Sequence, residues 1–121
     1  MPPLEIKTEF FLGPIDAFHL VGKESFGESW DSEFIQDPNR DEHRVALKNL
    51  RQALRSGQVA AHWSTMDFEQ YQDLRPQDAD QEFFSIRLTE DKVFHQGAND
   101  LVYCRIHSEQ LRASSLAARH N

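Results

Sequence analysis

Residues 83–107, FFSIRLTEDKVFHQGANDLVYCRIH, decide how this chain folds. Phe84, Ile86 and Leu88 alternate with Phe83, Ser85 and Arg87, the period-two pattern of a strand with one apolar face. Thr89-Glu90-Asp91 reads as a turn into Lys92–His95, and Gln96-Gly97-Ala98-Asn99-Asp100 as a second turn into Leu101–His107. Three strands joined by such short turns form an antiparallel meander. Those turn lengths set Ile86, Phe94 and Val102 side by side, on a face shared with Phe84, Leu88, Cys104 and Ile106. Tyr103, Arg105 and His107 then point the other way. A sheet with one apolar face needs a cover, and the cover has to come from elsewhere in the chain.

Upstream, Asp37-Pro38 is an N-cap followed by proline at the first helical position, with Asp41 and Glu42 early, where the helix dipole favours negative charge. Gly57 is the left-handed stop. The spacing predicts an amphipathic helix over residues 38–56, with Ala46, Leu47, Leu50, Ala53 and Leu54 on one side. Arg44, Lys48, Arg51 and Arg55 form a basic stripe nearly opposite. Gly13-Pro14 opens an earlier helix carrying Ile15, Phe18, Leu20 and Val21, ended by Gly22 or Gly27. Val59, Ala61 and Trp63 alternate with Gln58, Ala60 and His62 as a short strand. Residues 64–82 are polar and acidic, with Pro76 inside, and read as a long connection holding at most one helical turn. Ser108 caps a short final helix with Leu111 and Leu116, and residues 113–121 are expected to fray. The expectation is an α+β fold: two or three helices packed on a small antiparallel sheet that ends in the three-stranded meander.

The 121 residues, 39% of them hydrophobic and nine of them Phe, fit a single domain over 1–121 with one modest core. The net charge of −7 is segregated. Residues 1–36 and 64–91 carry −5 and −6, while residues 37–63 and the last thirty carry +2 each. Overall acidity disfavours a nonspecific grip on nucleic acid without excluding a local basic patch. Cys104 is the one cysteine, so no intramolecular disulfide forms and a reducing compartment is the default. The first residues lack a signal-peptide pattern, and no apolar run approaches a membrane span, so a cytoplasmic location is expected.

The chemistry-bearing residues yield no catalytic, cofactor or metal assignment. Cys104 and His107 have C-x-x-H spacing, but residues three apart on a strand face opposite sides. The six histidines show no metal-ligand spacing, which leaves convergence of His62, His95 and His107 in space as the route to a site. Asp78, Asp80 and Glu82 alternate like calcium-loop ligands without the loop glycine or the closing Glu. Gly27-Glu28-Ser29-Trp30-Asp31 begins like a nucleophile elbow but lacks the closing glycine and a preceding strand.

Ala53-Leu54-Arg55-Ser56-Gly57-Gln58-Val59-Ala60-Ala61 resembles the helix end and small-residue strand of a group of small, uncharacterised proteobacterial proteins. Gly27-Glu28-Ser29-Trp30-Asp31-Ser32-Glu33 is similar to their Trp-centred motif, and Val102 to Leu111 to their last strand and helix. The landmarks span about residues 14 to 116, and the tryptophan-proline ending of the group is absent. The resemblance implies a small bacterial α+β protein and carries no activity, substrate or site residue.

These features lead to a non-enzymatic domain that binds a protein partner, through the stripe Arg44, Lys48, Arg51 and Arg55 or the acidic 64–82 connection. Trp30 and Trp63 join the candidate surface, since aromatic residues and arginine favour interface cores. One alternative is a nucleic-acid-binding, winged-helix-like module using the basic face of helix 38–56. Another is a small acidic inhibitor that imitates nucleic acid.

Overall fold

The computed structural model describes residues 10–66 and 70–120. A short strand β1 (Phe11–Leu12) leads into α1 (Pro14–Phe26), and two 3-10 turns precede α2 (Asp41–Ser56). Then come β2 (Ala61–Ser64), β3 (Gln72–Asp73), the single-turn α3 (Pro76–Ala79), β4 (Ser85–Arg87), β5 (Lys92–His95), β6 (Asp100–His107) and α4 (Ser108–His120). All pairings are antiparallel, in the order β3-β2-β6-β5-β4, with β1 joined to the far end of β6. This is an α+β fold with the meander at β4-β5-β6, and with four helices among the described residues.

The meander differs from expectation by one residue of register. Ile86 faces Val93 and Val93 faces Val102, while Phe94 pairs with Ser85 and Leu101. Each connection holds one residue of left-handed backbone, Asp91 at φ 55° and Asn99 at φ 54°, and the paired positions Arg87–Lys92 and His95–Asp100 close around four-residue turns. Because side chains alternate with period two, that slip moves Val93 and His95 to the core face and Phe94 to the other. On β6 the alternation holds as expected: Val102, Cys104 and Ile106 are buried, and Tyr103, Arg105 and His107 lie on the opposite face.

Helix α2 starts three residues later than its sequence signals suggest. The preceding 3-10 turn ends with the Asp37 N–H donating to Phe34 O at 3.1 Å, and Pro38–Arg40 reverse the chain before the helix. Arg40 therefore occupies the cap position and Asp37 does not. Gly57, at φ 78°, is the left-handed stop. Helix α1 runs through Gly22 to Phe26 and ends at Gly27.

The 64–82 stretch carries more structure than a loose connection. Strand β3 pairs with β2, the Leu74 N–H donates to Ala61 O at 2.8 Å, and Tyr71, Leu74, Asp78 and Ala79 are buried. Pro76 opens α3 rather than breaking a helix. The Asp78 carboxylate accepts from the Arg75 N–H at 2.9 Å. Helix α4 is longer than expected, helical through His120, whereas loosening was expected from residue 113; Asn121 and the Leu116 side chain lie outside the description.

Helix α1 packs against both α2 and α4, and these helices cover the apolar sheet face. Phe18, Val21, Leu50, Phe84, Val93, Val102, Ile106 and Leu111 are fully buried between the layers. A contact across the chain fixes the start of α1: the Asp91 carboxylate accepts from the Ile15 N–H at 2.9 Å. An acid there satisfies one of the helix's free N–H groups and meets the positive end of its dipole.

Candidate binding groove

Helix α2 turns Ala46, Leu50, Ala53 and Leu54 into the core, which fixes where its remaining sides point. The basic stripe does not stand clear of the fold. Arg44, Lys48, Arg51 and Arg55, with Leu47 and Gln52, form one wall of a groove of about 460 Å³, and Ser85 and Ile86 of β4 line the other. Strand β4 ends the strand order, so among the described residues its outer edge pairs with no other strand. Leu47 and Ile86 are half-buried and give the groove an apolar floor beneath the cations.

The four cations are in different states. Arg51 is half-buried: its guanidinium donates to the Gln81 carbonyl at 3.2 Å and lies 5.9 Å from the centre of the Phe84 ring. Among the described residues, its buried Nε has no acceptor, and the buried Gln81 side-chain oxygen has no donor. Arg55 is ion-paired to Asp80. Arg44 is exposed and lies 3.9 Å from Asp41, at the outer limit of an ion pair. Lys48 is exposed and makes no ion pair among the described residues. Arg44 and Lys48 are thus the cations most available to a ligand.

The two tryptophans lie elsewhere. Trp30 is only 9% exposed and packs among Phe18, Phe26 and Phe34, so it belongs to the core and not to a partner surface. Its Nε1–H donates to His19 Nδ1 at 3.3 Å, and the His19 pKa is lowered, chiefly by burial. Trp63 is half-buried, with its ring 4.5 Å from that of His95.

The three strand histidines do not meet at one point. His62 and His107 flank the Phe11 ring, at 5.4 and 5.2 Å between centroids. His62 Nδ1 lies 3.1 Å from an Asp73 oxygen, and burial holds the His62 pKa down despite that carboxylate. His95 is buried on the core face, its Nδ1 accepting from the Ala98 N–H at 3.1 Å and its Nε2 3.7 Å from Asp78. Burial pushes the Asp78 carboxyl up, but hydrogen bonds from the Arg75 backbone and side chain outweigh it and leave the pKa lowered. Cys104 lies in the core, its thiol pushed up to about 12 by burial, on the face opposite His107. Among the described residues no group of three or more His, Cys, Asp or Glu is placed to hold a metal ion. Two acids of the 78–82 run have structural partners instead: Asp78 caps α3 and Asp80 holds Arg55.

Sequence patterning found the basic wall of the groove and missed the opposite one. Ile86 reads as a core residue, and its place at an open edge follows from β4 being the last strand. That depends on strand order, which no local pattern carries. No helix among the described residues is long and apolar enough to cross a membrane. A scan against protein-family models and searches of curated proteins and of solved structures return no match.

Proposed function

We propose that this chain is a non-enzymatic protein-interaction domain, in the cytoplasm of a bacterium, that receives its partner in the groove between α2 and β4. One observation carries the reading: a cationic wall and an apolar floor share one open-edged channel on an otherwise acidic protein. Protein interfaces combine these elements, with arginine and apolar contacts at the centre and charge steering the approach. The internal commitments of Arg51 and Arg55 favour a protein ligand over a nucleic-acid backbone. They leave Arg44 and Lys48 for phosphate contacts, whereas specific duplex binding draws on many such contacts. The sequence resemblance and the lone, buried cysteine support a bacterial cytoplasm.

Photo-crosslinking tests this reading. A photoreactive residue replaces Gln52 in the groove or, as a control, the exposed Glu90 on the β4–β5 turn. In cells that make the protein, the groove position is expected to give a discrete protein adduct that the turn position does not. That adduct is expected to vanish when Arg44→Glu and Lys48→Glu are added. Identical adduct patterns from both positions would refute the groove as the interaction surface.

A further inference from the structure

We infer that the groove takes an extended, acidic peptide segment with carboxylates on alternate residues; this rests on the groove being the interaction surface. Charge is the first ground. The stripe already engages carboxylates at both ends, Asp41 beside Arg44 and Asp80 on Arg55. Between those ends Lys48 has no counter-charge among the described residues, and an acidic ligand supplies one.

Shape is the second ground. Arg44 to Arg55 covers about 16 Å of helix axis at ~1.5 Å per residue. The groove, of about 460 Å³, runs beside that length. An extended ligand has a repeat that matches the cations along that length. The spacing agrees: Arg44 and Lys48, one i,i+4 step apart, are separated by about 6 Å along the axis, and alternate residues of a strand by about 6.6 Å. A ligand with acids on alternate residues therefore sets successive carboxylates against successive cations of α2.

The two walls supply the remaining contacts. Leu47 and Ile86 form the floor against which the methylene groups of the ligand's acidic side chains pack. The unpaired outer edge of β4 offers backbone groups to an extended ligand, as in peptide recognition by strand addition.

Fluorescence anisotropy on the full chain at low salt, using labelled synthetic peptides, tests the inference. A peptide alternating Glu with Ile is expected to bind, to weaken as salt rises, and to bind about tenfold more weakly to the Arg44→Glu, Lys48→Glu variant, about 1.4 kcal/mol. Circular dichroism checks that the variant is folded, and amide NMR shifts at Leu47, Gln52 and Ile86 place the peptide. A Lys–Ile peptide and a stapled helical peptide of the same acidity are expected to fail. Equal binding of the Lys–Ile peptide would overturn acid recognition while leaving the groove an interaction surface. Equal binding of the stapled helix would overturn the extended conformation. Binding of a single-stranded or duplex oligonucleotide without binding of the Glu–Ile peptide would overturn both the inference and the reading beneath it. If no peptide binds, the inference falls, and the crosslinking adducts decide the broader reading independently.

Discussion

The aromatic cluster around Trp30 and the groove beside α2 both lie against the helix layer, yet they are built in opposite ways. Around Trp30 the contacts are complete: three Phe rings surround the indole, its N–H has an acceptor, and Gly22 of α1 lets the ring lie directly on the helix backbone. Along the groove the contacts are unfinished. Among the described residues, Arg51 Nε and the Gln81 side-chain oxygen have no partners, Lys48 has no counter-charge, and the β4 outer edge has no pairing strand. Cores that stabilise a fold are closed and satisfied, whereas surfaces that bind keep capacity in reserve. The contrast separates residues whose loss unfolds the protein from residues whose loss leaves the fold intact and, on the proposed reading, removes binding.

The largest effect is expected at the closed end of that comparison. Trp30→Ala removes a large buried side chain and leaves a cavity between α1 and the Phe34 turn, so a loss of about 3–5 kcal/mol is expected in urea unfolding. A loss below about 1 kcal/mol would mean that the cluster is not closed and would break the contrast. Gly22→Ala comes next. Alanine ordinarily strengthens a helix interior by about 1 kcal/mol, but a Cβ at Gly22 would collide with the Trp30 ring. Overpacking of a core costs about 1–3 kcal/mol. The clash is expected to win, lowering the unfolding midpoint, and a raised midpoint would show that the indole can move aside.

The same contrast explains what was legible in the sequence. The meander, helices α1 and α2 and the basic stripe follow from periodicity and from Gly57, because each is a local pattern with one physical cause. The β5 register was not legible, since it turns on whether Asp91 and Asn99 adopt left-handed backbone, and one residue of turn length exchanges Val93 for Phe94 on the core face. Trp30 carried the wrong expectation because exposure is set by what packs around a residue: Gly22 lies eight residues away, and its role shows only in the folded molecule. Residues 64–82 hid their anchors for a similar reason. Tyr71, Leu74 and Ala79 fit neither a helical nor a strand period, and they are buried by pairing with β2 and by packing below α2. The groove was half legible, its cations as a helical stripe and its second wall not at all.

Acid sharpens the comparison from another side. His19 accepts the Trp30 N–H in its neutral form, and its pKa lies below the ordinary 6.5, chiefly through burial, with Lys23 adding to this and Asp16 opposing it. Below that ordinary value the unfolded chain takes up the proton before the folded one does. The stabilisation is therefore complete above about pH 6.5 and is lost as pH falls towards the lowered folded value. His62, also lowered chiefly by burial, acts with the same sign. Urea midpoints are expected to fall between about pH 7 and pH 5, and to fall less in a His19→Gln, His62→Gln variant. An unchanged pH slope in that variant would assign the acid sensitivity to other groups.

The smallest expected effect on stability is the most informative about the groove. Arg51→Met keeps a long, flexible side chain against Phe84 and gives up the hydrogen bond to the Gln81 carbonyl, worth about 0.5–1.5 kcal/mol. It also removes the buried Nε that has no acceptor, and an unsatisfied buried donor costs about 1–3 kcal/mol. The two terms oppose each other, so the unfolding midpoint is expected to stay within about 1 kcal/mol of the native protein or to rise, as when buried charges give way to apolar side chains of similar size. A fall beyond that would show that Arg51 serves the fold by holding residues 81–84 against α2, which would shift it to the closed side of the comparison. An unchanged or raised midpoint, together with weaker binding of the Glu–Ile peptide, would place Arg51 with Arg44 and Lys48, as a cation kept at some expense to stability because a ligand needs it.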